Sequence, residues 1–140
     1  LAGALWGMEI FLSGPEEFKP TPEIQRFCKQ FDLPNHWHYT PDCIEAAQNA
    51  DILYTDVWVS MGYESEESDR KEKMTPYRVT KDLFDQAKEN ALFMHCMPAH
   101  PGEEVTEEVL NSPRSILFDQ AENRLHMQKA ILKQLSNNKI

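Results

Sequence analysis

Positive charge is scarce in this sequence: 14 Lys and Arg stand against 23 Asp and Glu, a formal net charge of −9. A general binder of nucleic acid or of an anionic membrane needs a basic face, so both partner classes are excluded. No apolar run approaches the length that crosses a bilayer. The chain has only 3 cysteines, which cannot all pair within one chain. Without a dense cysteine framework, free thiols in a reducing compartment are the simpler reading. Internal repeats, low-complexity segments and interdomain linkers are absent. So is an initiating methionine. The stretch from Leu1 to Gly7 is apolar but short and has no basic residues, so it is not a signal peptide. It reads as the tail of a helix that begins upstream, and the chain as a piece of a longer protein.

What is present fits one domain with one core, since 140 residues with 41% hydrophobic and 26% charged content is a globular composition. Short apolar runs recur: Met8–Leu12, His36–Tyr39, Asp51–Trp58, Ala91–His95 and Ser115–Phe118. Between them lie helical patterns. Thr21-Pro22 opens one, with Ile24, Phe27, Cys28 and Phe31 on one face; Thr40-Pro41 opens another, with Cys43, Ile44 and Ala47 inward. Thr80 caps a third, and Asp119 to Leu135 forms the last. The charge-crowded stretch from Glu64 to Lys73 reads as a solvated loop, and Gly62 as the hinge of a lid. Alternating strands and helices imply an α/β fold: a parallel Rossmann-like sheet with helices on both faces.

In such sheets ligands bind at the carboxyl edge of the strands. Three strand ends bring polar groups there: Asp56 with Ser60 and Met61, His95 with Cys96, and Glu122-Asn123-Arg124 after the last strand. An acid would attract an amine, and an arginine fork suits a phosphate or a polarised carbonyl. Each has a plainer reading. His95-Cys96 alone is a strand ending in a buried thiol, and Arg124 alone is a surface ion pair with Glu122 or another acid. His36 and His38 share one side of their strand and could ligate a metal, but no third ligand lies near, so they read as an exposed edge. No metal ligand and no cofactor are assigned.

Asp56-Val57-Trp58-Val59-Ser60-Met61-Gly62 resembles the ornithine-binding loop of the ornithine carbamoyltransferases. His95-Cys96-Met97-Pro98 resembles that family's His-Cys-Leu-Pro motif, with Met97 for leucine, and Glu122-Asn123-Arg124 its closing segment. His95-Cys96 matches the ornithine rather than the aspartate branch. The resemblance implies attack of the δ-amine of L-ornithine on carbamoyl phosphate, giving L-citrulline and phosphate. It implies that Asp56 holds the amine and that Ser60 and Met61 meet the amino-acid end. Cys96 and the Met97 backbone lie beside the reacting groups, Arg124 binds carbamoyl phosphate, and His95 orients Cys96, which is not a covalent nucleophile. Putrescine or an acylated ornithine is the alternative amine. A non-catalytic amino-acid-binding or regulatory relative is the alternative class.

By the same resemblance, residues 1–140 are the ornithine-binding domain without the carbamoyl-phosphate domain, and without the first, central strand of its own sheet. The sheet is then expected to be split. The helix over 119–137 is expected to pack on the absent domain, leaving its apolar face unpartnered here. Pro101 replaces the family's usual arginine. The family's full enzymes are typically trimers, found in the cytoplasm or, in animals, the mitochondrial matrix.

Overall fold

Each strand among the described residues spans four residues, and the residues just past its carboxyl end decide where the site lies. The structure is a computed structural model that describes residues 2–24, 26, 37–59, 62 and 64–137. Among the described residues, strands β1 (Ile10–Ser13), β2 (Trp37–Thr40), β3 (Ile52–Thr55) and β4 (Leu92–His95) are interleaved with six α-helices. These are α1 (Ala2–Leu5), α2 (Cys43–Ala47), α3 (Glu67–Met74), α4 (Lys81–Phe84), α5 (Glu107–Leu110) and α6 (Leu117–Asn137). Much of the helix expected from Thr21 to Phe31, and His36, lie outside the described residues.

Both strand pairs are parallel, as the alternation requires. Ile10 to Ser13 stand opposite Trp37 to Thr40, and Ile52 to Thr55 opposite Leu92 to His95. The α/β, Rossmann-like class stands. The sheet is in two pieces, β1–β2 and β3–β4, and among the described residues no strand joins them. The core gathers on the second piece: Leu53 of β3 and Phe93 of β4 pack with Ala47, Val79, Phe84, Ala91, Val105, Val109 and Leu117. No residue of β1 or β2 joins that cluster. Phe84 and Phe93 meet edge to face, with ring centroids 6.1 Å apart.

Four local expectations change. The run from Ser115 to Phe118 is not a full strand. It makes one parallel bridge, Ser115 to Phe93, and the Gln120 N–H already donates to Ile116 C=O at 2.9 Å. The helical ladder therefore takes over at Leu117 rather than Asp119, and Phe118 points to solvent. The stretch from Glu67 to Met74 is helix, not loop. Lys71 pairs with Glu67 at 2.7 Å and Lys73 with Asp69 at 2.8 Å, both at the i,i+4 spacing that supports a helix. Asp42, not Thr40, caps α2, its Oδ1 accepting from the Ile44 and Glu45 N–H groups. With the helix starting at Cys43, Ile44 turns outward, 52% exposed. Thr80 does cap α4, accepting from the Leu83 N–H at 3.2 Å.

Candidate functional site

Because β3 and β4 are parallel and Thr55 stands opposite His95, the next residues, Asp56 and Cys96, leave the sheet side by side. The Cys96 thiol donates to Asp56 Oδ1 at 2.7 Å, and the Val57 N–H donates to the same oxygen at 2.7 Å. Burial first, and then the hydrogen bond and charge of Asp56, push the Cys96 thiol up to about 11. A thiol that weakly acidic stays protonated at neutral pH, so it is a hydrogen-bond donor and a poor nucleophile. The Tyr54 hydroxyl, on β3, is also raised, chiefly by burial.

His95 is fully buried. Its Nδ1 accepts from the Met97 N–H at 2.9 Å, so in the neutral ring the proton sits on Nε2. Nε2 faces Glu104 Oε1 at 3.2 Å, a close approach without hydrogen-bond alignment. Gln120, on α6, accepts from the His95 N–H through Oε1 at 3.0 Å and donates through Nε2 to the Tyr54 hydroxyl at 3.1 Å. The chain is thus held on both sides of Cys96: at the His95 backbone by Gln120, and at Met97 by the His95 ring. Met97 takes a left-handed φ of +59°, a conformation that a non-glycine residue keeps only when its surroundings fix it.

Glu104 and Gln120 were not legible as site residues. Glu104 follows the turn at Pro101-Gly102, where Gly102 has a φ of +87°. The turn carries the chain back so that the Glu104 carboxylate lies buried beside His95, its Oε1 accepting the His100 N–H at 2.6 Å. In the sequence it is one acid of an acidic pair, with nothing to mark it as buried. Pro101 bridges to Val105 within this turn.

The remaining candidates separate. Ser60 and Met61 lie outside the described residues. Gly62 has a φ of +94°, a left-handed conformation that favours glycine. Arg124 is exposed on α6 and, among the described residues, makes no hydrogen bond or ion pair. Its expected surface partner Glu122 pairs instead with His126 at 3.0 Å. No contact joins Arg124 to Asp56 or Cys96. His38, at the sheet edge, meets Glu9 at 3.1 Å in the open. Beside Asp56 a cleft of about 500 Å³ opens between the two sheet pieces, lined in part by Ser13, Tyr39, Tyr54 and Trp58. A smaller one of about 140 Å³ runs between β1 and β3, past Phe11, Ile52 and Tyr54. An acid, a protonated thiol and a fixed backbone turn at a cleft mouth can hold and orient an amine.

Comparison with known proteins bears on this geometry. A family model described as the Asp/Orn binding domain of aspartate/ornithine carbamoyltransferase matches residues 1–135. An ornithine carbamoyltransferase of Archaeoglobus fulgidus is 47% identical over 135 residues, covering 96% of this chain and 43% of its own length. Among solved structures, anabolic ornithine carbamoyltransferase from Campylobacter jejuni superposes with a TM-score of 0.90 at 32% identity, over 98% of this chain and 46% of that one. Ornithine carbamoyltransferase from Pyrococcus furiosus superposes with a TM-score of 0.84 at 43% identity, over 94% and 42%. The chain therefore spans less than half the length of these relatives.

Proposed function

The chain belongs to the aspartate/ornithine carbamoyltransferase family, through its Asp/Orn binding domain, and from that premise we propose that it supplies the ornithine-binding half of an ornithine carbamoyltransferase. The reaction is attack of the ornithine δ-amine on the carbonyl carbon of carbamoyl phosphate. A C–N bond forms, the C–O bond to phosphate breaks, and the amine proton leaves with the departing phosphate. The single observation that carries this reading is the Cys96 to Asp56 hydrogen bond of 2.7 Å at two adjacent strand ends. It sets a carboxylate and an uncharged donor where an amine must be held with its lone pair aimed.

In this reading Asp56 binds the amine, and Cys96 and the Met97 backbone flank it and the carbamoyl group. His95, with Glu104 behind it, positions Cys96. Ser60 and Met61 meet the amino-acid end as the segment hinged at Gly62 closes, and Arg124 contributes to carbamoyl phosphate. Orientation and electrostatics do the work; each well-placed polar group is worth about 3 kcal/mol of barrier. The carbamoyl-phosphate domain and a central strand between β1 and β3 complete the enzyme. The split of the sheet into two pieces, with a small cleft between β1 and β3, supports that strand. We place the enzyme in the cytoplasm or mitochondrial matrix, as a homo-oligomer. Among the described residues no helix is long and apolar enough to cross a membrane.

The test is citrulline formation from carbamoyl phosphate and ornithine, by the chain alone and with the carbamoyl-phosphate half of a relative added. Activity only on addition is expected, and Asp56→Asn in that mixture should lower turnover by about 100-fold. Turnover by the chain alone would sink the proposed division of labour. Turnover with putrescine or an acylated ornithine, and not with ornithine, would reassign the amine.

A further inference from the structure

Around Glu104, the turn after β4 brings together a second set of groups. The ligand atoms of His100, Glu103 and Glu104 all lie within 4.8 Å of one another. Their surroundings are unequal. Glu104 is fully buried, and its Oε1 is occupied by the His100 N–H. Its Oε2 is buried with no hydrogen-bond partner among the described residues and faces His100 Nδ1 across 3.9 Å, too far for a hydrogen bond. A buried carboxylate oxygen left without a donor is costly, so its position suits a cation or a donor that the described residues do not supply.

We propose that His100, Glu103 and Glu104 form a binding site for a divalent transition-metal ion of the zinc class. One imidazole nitrogen and two carboxylate oxygens are a donor set that Zn²⁺ accepts, with water filling an open position. Bonds of about 2.1 Å would set these ligands about 3.4 Å apart, so they must close in by roughly an ångström. The freedom to do so lies in the right places. Glu104 is fixed, while the His100 side chain is half exposed and the Glu103 side chain is about one-third exposed. Glu103 now pairs with Lys71 at 2.7 Å, but Lys71 also holds Glu67 at 2.7 Å and keeps a partner when Glu103 swings to the metal. The site uses neither Asp56 nor Cys96 and does not depend on the carbamoyl-transfer reading.

The test is titration of the chain with Co²⁺ as the visible probe, followed by Zn²⁺ competition. One-to-one binding is expected, with d–d bands, no thiolate charge-transfer band, and displacement by Zn²⁺. Affinity should fall by about tenfold or more in both His100→Asn and Glu103→Gln and persist in Cys96→Ser. Circular dichroism of the variants checks that each is folded. Lack of saturation by about 1 mM metal, binding that survives either ligand variant, or a thiolate band that disappears in Cys96→Ser would overturn the site.

Discussion

At the residue scale the behaviour of Cys96 follows from its surroundings rather than from its residue type. Burial raises the cost of ionising it, and the carboxylate it donates to adds to that cost. Alkylation by iodoacetamide should therefore be slow at pH 8 and speed up only as pH approaches about 11. Asp56→Asn should move that profile to lower pH, because the charge opposing the thiolate is gone. An unchanged profile would mean that Asp56 is not the thiol's neighbour in solution. The linkage has a definite sign. The folded thiol keeps its proton to about 11, against 9.0 for a free one. Its contribution to stability is full below pH 9.0 and is lost as pH rises through about 11. Glu104 makes a different prediction. Glu104→Ala removes the acceptor of the His100 N–H and the group facing His95 Nε2. Urea unfolding should show a loss of about 3 kcal/mol, and Glu104→Gln, which retains an amide oxygen for the His100 N–H, a smaller one. A loss within about 0.5 kcal/mol for Glu104→Ala, the range of ordinary surface changes, would show that the carboxylate is not buried.

At the scale of elements the two sheet pieces are unequal. β3 and β4 carry Leu53 and Phe93 into the core, whereas β1 and β2 contribute nothing to it. A two-stranded unit is marginal unless packing holds it. Native-state hydrogen exchange should therefore open the β1–β2 amides at lower free energy than those of β3–β4, and equal protection would contradict this division. α3 has no fully buried residue: Lys71 to Glu103 and Lys73 to Glu17 tie it to neighbouring turns at 2.7 and 3.0 Å, and Arg70 lies over the Phe18 ring at 5.0 Å. Pairs this exposed are each worth under about 1 kcal/mol. Lys71→Ala should thus speed exchange within α3 while changing global stability by less than about 1 kcal/mol. A large global loss would mean that α3 carries more of the fold than its surface pairs indicate. The sequence shows those Glu and Lys residues at helical spacing, yet their density alone reads equally well as a solvated loop. The i,i+4 geometry decides between the two.

At the scale of the whole molecule, α6 leaves Leu125, Leu132 and Leu135 more than half exposed, and β1 and β3 both line one small cleft. Both features fit the division of labour proposed above, which citrulline formation in the reconstituted mixture tests. By itself the sequence determined the α/β class, because the alternation of short apolar runs with helical patterns admits few other arrangements. It also determined the pairing of an acid and a thiol as candidates, because a polar residue directly after a buried strand has to emerge at the sheet's edge. Tertiary structure decided what local pattern cannot carry. It decided that Cys96 is a protonated donor, since that depends on a residue 40 positions away. It decided that Glu104 is buried beside His95 while its neighbour Glu103 reaches Lys71, since burial is a property of the packed turn and not of an acidic pair. It also cut the last strand to a single bridge, because once the chain has paired with Phe93 the backbone of Ile116 is taken by the first turn of α6.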